Sequence, residues 1–417
     1  MRILYLVHQY PPEHLGGTEL YTRSLARELA LRGHQVTVFH RRNAAGEGQE
    51  SWDDEGVRVW SAWAGVLNPM RRFLATFGEP ALERALEGVL DEVKPELVHV
   101  QHMMGLPMAS LRGIRKRGIP FVITLHDYWW VCANAQLLTN DRRQLCAGPR
   151  LYLNCARCAL ARSGRARYLL AFPAIAALLA WRSGLLRREL AFAAALLAPS
   201  EFVGRWYMAH GAPKDKLVVI PLGVERRTSA PVPRPRLDGP MRFVYIGGIA
   251  PQKGVHIVSE ALRGLEGAEL WVAGDESADP AYARHLKRQA PPSVRFLGKL
   301  DRARVWETLA SADAVVIPSL WYETFSLIAH EAFASGVPVL ASRLGALAEV
   351  VRDGLDGLLI SPGDVNAWRA AFQSLIDDPD RLASLRAQVR PPLAAEQHAD
   401  RILALYSQIL ARCFPDR

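Results

Sequence analysis

The chain has no apolar run long enough to cross a bilayer. An uncharged, mostly apolar stretch at 168–181 is interrupted by Pro173 and falls short of the roughly 20 residues a spanning helix needs. It also lacks a recognisable secretion signal: Met1-Arg2 leads directly into five apolar residues, 3–7, which suit a buried strand. A soluble, cytoplasmic chain is the expectation. No Gly-x-Gly-x-x-Gly fingerprint follows the first strand. No acidic residue ends the second, which runs into His40-Arg41-Arg42. Both absences argue against a nicotinamide-dependent dehydrogenase or epimerase.

Acidic residues and lysine are missing from one long segment. Residues 142–188 hold ten arginines, while the whole chain carries 51 basic and 42 acidic residues for a net charge of +9. The rest of the chain is therefore close to neutral. A nucleic-acid binder would spread its basic residues over a domain with a reading motif, and neither is present. Two readings fit the segment. Apolar residues flanked by Arg162, Arg165, Arg167, Arg182, Arg187 and Arg188 suit peripheral contact with an anionic membrane. They equally suit a buried helix with arginines at its solvated edge.

Cysteine is scarce, at five residues, yet four of them cluster: Cys132, Cys146, Cys155 and Cys158. A Cys-x-x-Cys pair with two further thiols matches a tetrahedral structural zinc site. Thiols packed as small apolar residues are the alternative. Cys413 stands apart.

What is present is an alternation of strand-like and helix-like segments. Apolar runs at 3–7, 36–39, 97–100, 121–125, 196–197 and 217–220 alternate with helical patterns such as 18–32. A stretch at 226–240 with Pro231, Pro233, Pro235 and Pro240 has linker composition. The pattern then restarts at 243–246, 270–273, 294–297, 314–317 and 337–341. Strands alternating with helices imply parallel sheets with helices on both faces. The expected fold class is α/β, two Rossmann-like domains facing each other across a cleft. The expected boundaries are 1–225 for an acceptor-side domain with a Cys-rich, basic insertion at about 130–190, then the linker at 226–240. A nucleotide-sugar-binding domain at 241–397 follows, and a terminal helix at 398–417 packs back on the first domain.

Two phosphate-friendly helix starts fall in the second half. One follows Gly247-Gly248 and ends on Lys253-Gly254, a diphosphate clamp in the making. The other follows Pro318: Thr324 is the expected N-cap, leaving the N–H groups of Phe325, Ser326 and Leu327 unpaired. Glu323 precedes that helix and Glu331 lies two turns along it.

The ordered series resembles the retaining glycosyltransferases of family 4, with the GT-B fold, over nearly the whole chain. It comprises Gly16-Gly17, Arg32-Gly33-His34, His126-Asp127, Ala198-Pro199-Ser200, Gly247 through Gly254, and Glu323 eight residues before Glu331. Gly336-Val337-Pro338-Val339, Glu349-Val350-Val351 and Asp356-Gly357-Leu358 complete it. The resemblance implies a nucleotide-diphosphate-sugar donor and no cofactor required for catalysis, while the basic, apolar segment points to a lipid-linked or cell-envelope glycan acceptor. It implies that Lys253 binds the diphosphate and Glu331 the ribose. Glu323 with the backbone at 325–327 would hold sugar and phosphate. Gly16-Gly17 would bring an amide to the diphosphate, and His126 would face the sugar. Gly248 stands where the family often has arginine, and Gly345-Ala346 where it commonly has Gly-Gly. A catalytically silent nucleotide-sugar or membrane scaffold is the rival reading.

Overall fold

The apolar residues 3–7 form most of β1 (Arg2–Val7), buried on both faces as a central parallel strand requires. The computed structural model describes residues 1–162, 171–225, 239–277 and 279–415. Most of the expected linker, and Arg165, Arg167 and Tyr168 of the basic segment, lie outside the described residues. The chain divides into two compact units, one of Met1–Gly223 with Ala395–Arg417 and one of Val224–Ala394.

In the first unit β1 is joined by β2 (Gln35–Arg41), β3 (Glu47–Asp54), β4 (Val57–Ala64), β5 (Leu97–Val100), β6 (Phe121–Thr124), β7 (Ala195–Ala198) and β8 (Leu217–Val219). Their order is β3-β4-β2-β1-β5-β6-β7-β8. Every pairing is parallel except the β3–β4 hairpin, which the apolar pattern does not reveal because β3 is a polar edge strand. The helix Phe172–Phe192 buries Ala176, Leu179, Arg182, Ser183, Leu186, Glu189 and Leu190, a stripe at helical spacing. The described part of the segment is therefore a helix with one face buried and with Arg187 and Arg188 on its exposed side. Among the described residues no helix is long and apolar enough to cross a membrane.

The second unit has β9 (Met241–Ile246), β10 (Ala268–Ala273), β11 (Val294–Gly298), β12 (Ala314–Ile317), β13 (Val339–Ser342) and β14 (Gly357–Ile360). The order β11-β10-β9-β12-β13-β14 is all parallel. Renumbered within the unit it is 3-2-1-4-5-6, the Rossmann order. Phe243, Trp368 and Phe372 fill one side of this sheet and Phe333, Leu309 and Leu347 the other.

The last helix, Ala395–Cys413, belongs to the first unit and is tied there by buried polar contacts. Tyr406 Oη lies 3.2 Å from Tyr5 Oη and 2.5 Å from His99 Nδ1, and Tyr21 Oη lies 2.7 Å from His398 Nε2. Burial drives these imidazoles toward neutrality. It holds His126 at about 3, with the charges of His102 and His398 adding, and His40 and His398 at about 4. The native state thus refuses protons that the unfolded chain accepts below about 6.5. Their contribution is intact above pH 6.5 and is lost as pH falls toward 4. Thermal melts should show Tm declining steadily over that window; a Tm flat from pH 6.5 to 4.5 would contradict this.

Candidate functional site

The switch point of the second sheet lies between β9 and β12, where connections leave in opposite directions and open a crevice at the strands' carboxyl ends. The two loops there are the two motifs singled out by sequence. After β9 the chain passes Gly247 and Gly248, makes a 3-10 turn at Pro251–Lys253, and enters the helix Val255–Ala261. After β12 it passes Ser319 to Ser326 before the helix Leu327–Ala334. Leu320 N–H donates to Gln252 O at 2.8 Å, so the loops are stitched together. Gly254 has φ 73°, and a Cβ there would overlap the Pro318 carbonyl oxygen. Only glycine permits that approach.

Lys253 and Glu323 meet in this crevice, with Nζ 2.8 Å from Oε1. The same oxygen accepts hydrogen bonds from Ser319 Oγ at 2.7 Å and Trp321 Nε1 at 2.9 Å. Lys253 Nζ also lies 4.8 Å from the centroid of the Trp321 ring. Burial alone would raise the Glu323 carboxyl, but the Lys253 ammonium and the hydrogen bonds outweigh it and hold the group below its ordinary value. The result is a preorganised ion pair, not two solvated charges.

Glu331 is buried on the helix Leu327–Ala334 and pairs with Arg302 Nη1 at 2.6 Å. Arg302 also reaches Glu225 at 3.3 Å. Burial pushes the Glu331 carboxyl up despite the attraction of Arg302. Arg302 was invisible to motif reading, being 29 residues away. Ser319 and Trp321 were missed as well, although they lie four and two residues before Glu323 and carry the right donors.

The helix starts later than the sequence suggests. Ser326, with φ 67°, is its N-cap, and Thr324 is not. The left-handed backbone at Ser326 ends any helical continuation through 325, and Phe325 instead stacks on His330 at 3.8 Å. A non-glycine residue held in that region costs on the order of 1–3 kcal/mol and marks a constrained turn. The first-turn N–H groups therefore begin at Leu327. Gly247 and Gly248 line the facing loop, where Tyr245 Oη donates to Gly248 O at 2.8 Å.

In the first unit Gly16 caps the helix Gly17–Leu31 with no side-chain bond. The buried Glu19 carboxylate folds back beside Gly16 and pairs with His8 Nε2 at 3.2 Å. Burial raises that carboxyl. The His8 ring lies 4.3 Å from that of His102, whose Nε2 is 2.9 Å from Asp127 Oδ2. His126 Nε2–H donates to Gln101 Oε1 at 2.7 Å, and its ring packs 5.1 Å from Tyr21. Glu19, His8, His102 and Gln101 were missed by sequence, because their partners lie on β1, β5 and β6 loops that only the fold assembles.

Cys132, Cys146, Cys155 and Cys158 are unpaired and partly buried. Burial pushes the Cys155 thiol up to about 12, with the other three thiols close enough to add to the shift. Among the described residues no group of three or more His, Cys, Asp or Glu side chains is arranged to hold a metal ion. These four thus stand as neighbouring thiols, short of the ligand set the spacing suggests.

Replacing Gly254 with alanine should separate the two loops of the second unit. Cβ meets a backbone carbonyl and φ is positive, so the cost should exceed about 1 kcal/mol. Urea unfolding measures it; an unchanged midpoint would show that the loops yield freely.

Comparison with known proteins agrees with this geometry. Residues 15–227 match the family Glycosyltransferase Family 4, and residues 240–378 match Glycosyl transferases group 1. A glycogen synthase of Mycobacterium tuberculosis is 30% identical, covering 91% of this chain and 87% of that protein. The sucrose-phosphate synthase of Thermosynechococcus elongatus superposes with a TM-score of 0.73 at 20% identity, over 98% of this chain and 99% of that one. Anabaena HepE in complex with UDP and glucose gives 0.66 at 18% identity over the full length of both. The last two show the fold alone. Two parallel-sheet units, both family matches and a relative along nine-tenths of the chain lead to one assignment: this protein belongs to the family 4 glycosyltransferases, of GT-B architecture.

Proposed function

We propose that this glycosyltransferase holds a nucleoside-diphosphate sugar on its second unit and transfers the sugar, with retention of anomeric configuration, to a glycan or lipid-linked acceptor. The observation that carries the donor site is the part-buried Lys253–Glu323 pair at the switch point. As the anomeric bond breaks, negative charge grows on the diphosphate. A fixed ammonium and the N–H groups opening the helix Leu327–Ala334 are suited to stabilise it without reorganisation. Lys253 matters more here because Gly248 supplies no second cation. Glu323 orients Lys253 and offers a carboxylate to sugar hydroxyls. Glu331, charge-matched by Arg302, is suited to the ribose hydroxyls. His126, neutral through burial, offers a hydrogen bond rather than a charge. HepE, described in complex with UDP and glucose, supports the donor class.

Acceptor binding is assigned to the first unit. Exposed Arg187, Arg188 and Trp181 on the helix Phe172–Phe192 favour an anionic or lipid-linked acceptor and peripheral contact with a cytoplasmic membrane face.

A thermal-shift series with UDP-, GDP- and ADP-sugars tests the donor assignment. The correct donor at 100-fold its Kd should stabilise by about 2.7 kcal/mol. Lys253→Ala should lower turnover on the order of 10²–10³-fold. Glu331→Ala should chiefly raise the donor KM, whereas Glu323→Ala and His126→Ala should chiefly lower kcat. Folded variants at Lys253 and Glu323 with unaltered kinetics would remove this crevice from the reaction.

A further inference from the structure

Three strands of the first unit carry a row of polar side chains where a buried sheet ordinarily carries apolar ones. His40 on β2 and Glu50 on β3 both stand opposite Ser61 on β4, so the three share one face of the sheet. Trp52 lies two residues beyond Glu50 on β3 and falls on the same face. Tyr10, Pro11, Pro12 and Glu13, from the loop after β1, join this row in lining a cavity of about 200 Å³ that opens to solvent. The cavity lies wholly within the first unit.

Two of its lining groups are buried and unsatisfied. His40 is 4% exposed and Ser61 1%. Among the described residues, neither His40 Nε2 nor Ser61 Oγ has a hydrogen-bond partner. Burial keeps the His40 ring neutral, and its Nδ1 lies 3.3 Å from the Arg41 carbonyl. With Nδ1–H donating there, Nε2 is an acceptor, while the Ser61 hydroxyl both donates and accepts. Folded proteins rarely leave such atoms unpaired, because each costs free energy that a bound partner recovers. The other lining groups are already committed. Tyr10 Oη donates to Asp54 at 2.9 Å, so its ring is what remains for a ligand. The rings of Tyr10 and Trp52 lie 5.9 and 5.8 Å from that of His40. At the solvated rim Arg42 pairs with Glu13 at 3.0 Å and also with Glu50. One guanidinium between two carboxylates leaves the rim with an unmatched negative charge.

We infer that this cavity is a subsite for one uncharged sugar ring of the acceptor, with its hydroxyls bonded to His40 and Ser61 and its C–H face against Trp52 and Tyr10. A sugar hydroxyl donates to His40 Nε2, and a neighbouring one exchanges a hydrogen bond with Ser61 Oγ. Both buried atoms are then satisfied, and aromatic surface with a few placed polar groups is the usual make-up of a small-molecule site. A carboxylate or a phosphodiester is disfavoured, since it offers no donor to Nε2 and meets two carboxylates at the rim. The inference rests on the assignment of the acceptor to the first unit and deepens it: the sugar is read here, and charged or lipid parts of the acceptor are left to the arginine-bearing helix Phe172–Phe192.

The test needs no turnover and no donor. The full chain is titrated with the methyl α-glycosides of glucose, mannose and galactose, and with glucuronate, while the tryptophan indole N–H resonances are followed by NMR. Trp52→Phe identifies the Trp52 signal. A neutral glycoside should shift that signal saturably with a Kd on the order of 1–10 mM, as suits a single ring, and glucuronate should not. Ser61→Ala removes a buried hydroxyl without adding volume, and it should weaken the binding about 3–10-fold, the loss of one hydrogen bond. Its donor-induced thermal shift should match that of the wild type, because the donor is held on the second unit. No saturable shift at Trp52 with any of the three glycosides up to about 100 mM would overturn the subsite, even with the donor site upheld. Tighter binding of glucuronate, or an unchanged Kd in Ser61→Ala, would overturn it equally.

Discussion

The geometry of the second unit depends on one buried oxygen. Glu323 Oε1 takes an ammonium, a hydroxyl and an indole N–H at once, from Lys253, Ser319 and Trp321. A buried carboxylate with fewer partners would protonate or turn to solvent. With all three it stays ionised, and it fixes the lysine loop after β9 against the loop after β12. Gly254 on Pro318 and Leu320 on Gln252 then close the remaining gap. The strained turn at Ser326 is tolerated because the chain on both sides is held.

A parallel logic, built from different groups, runs through the first unit. There the carboxyl ends of β1, β5 and β6 bring imidazoles beside carboxylates: His8 with Glu19 and His102 with Asp127. Burial keeps His126 uncharged, and the neutral ring hydrogen-bonds Gln101. The terminal helix supplies Tyr406 and His398 from beneath, so the polar interior of this unit is completed by residues at the far end of the chain.

Much of this architecture was legible in the residues. The buried strands β1, β2, β5, β6, β9 and β12 are short apolar runs ahead of glycine, proline or histidine, and both switch-point loops carried readable motifs. Three things were not legible. Strand β3, Glu47–Asp54, is polar because it lies at an edge, so hydrophobic patterning is silent there. The start of the helix at Leu327 depends on a left-handed serine, which propensity does not anticipate. The partners of Glu331 and Glu19 are set by tertiary contact, over 29 residues for Arg302 and across a loop for His8. Motif reading picked out Lys253, Glu323 and Glu331 and missed the neighbours that set the charge of the two carboxylates.

The central claim is that the loops 247–254 and 318–331 form one nucleoside-diphosphate site. Hydrogen exchange of the full chain, with and without saturating UDP, GDP or ADP, tests it most directly. The account predicts slowed exchange for one of these nucleotides in both loops together, including the N–H groups at 327–329, with the rest of the second sheet unchanged. Protection of one loop without the other, or protection confined to other segments of that unit, would contradict it.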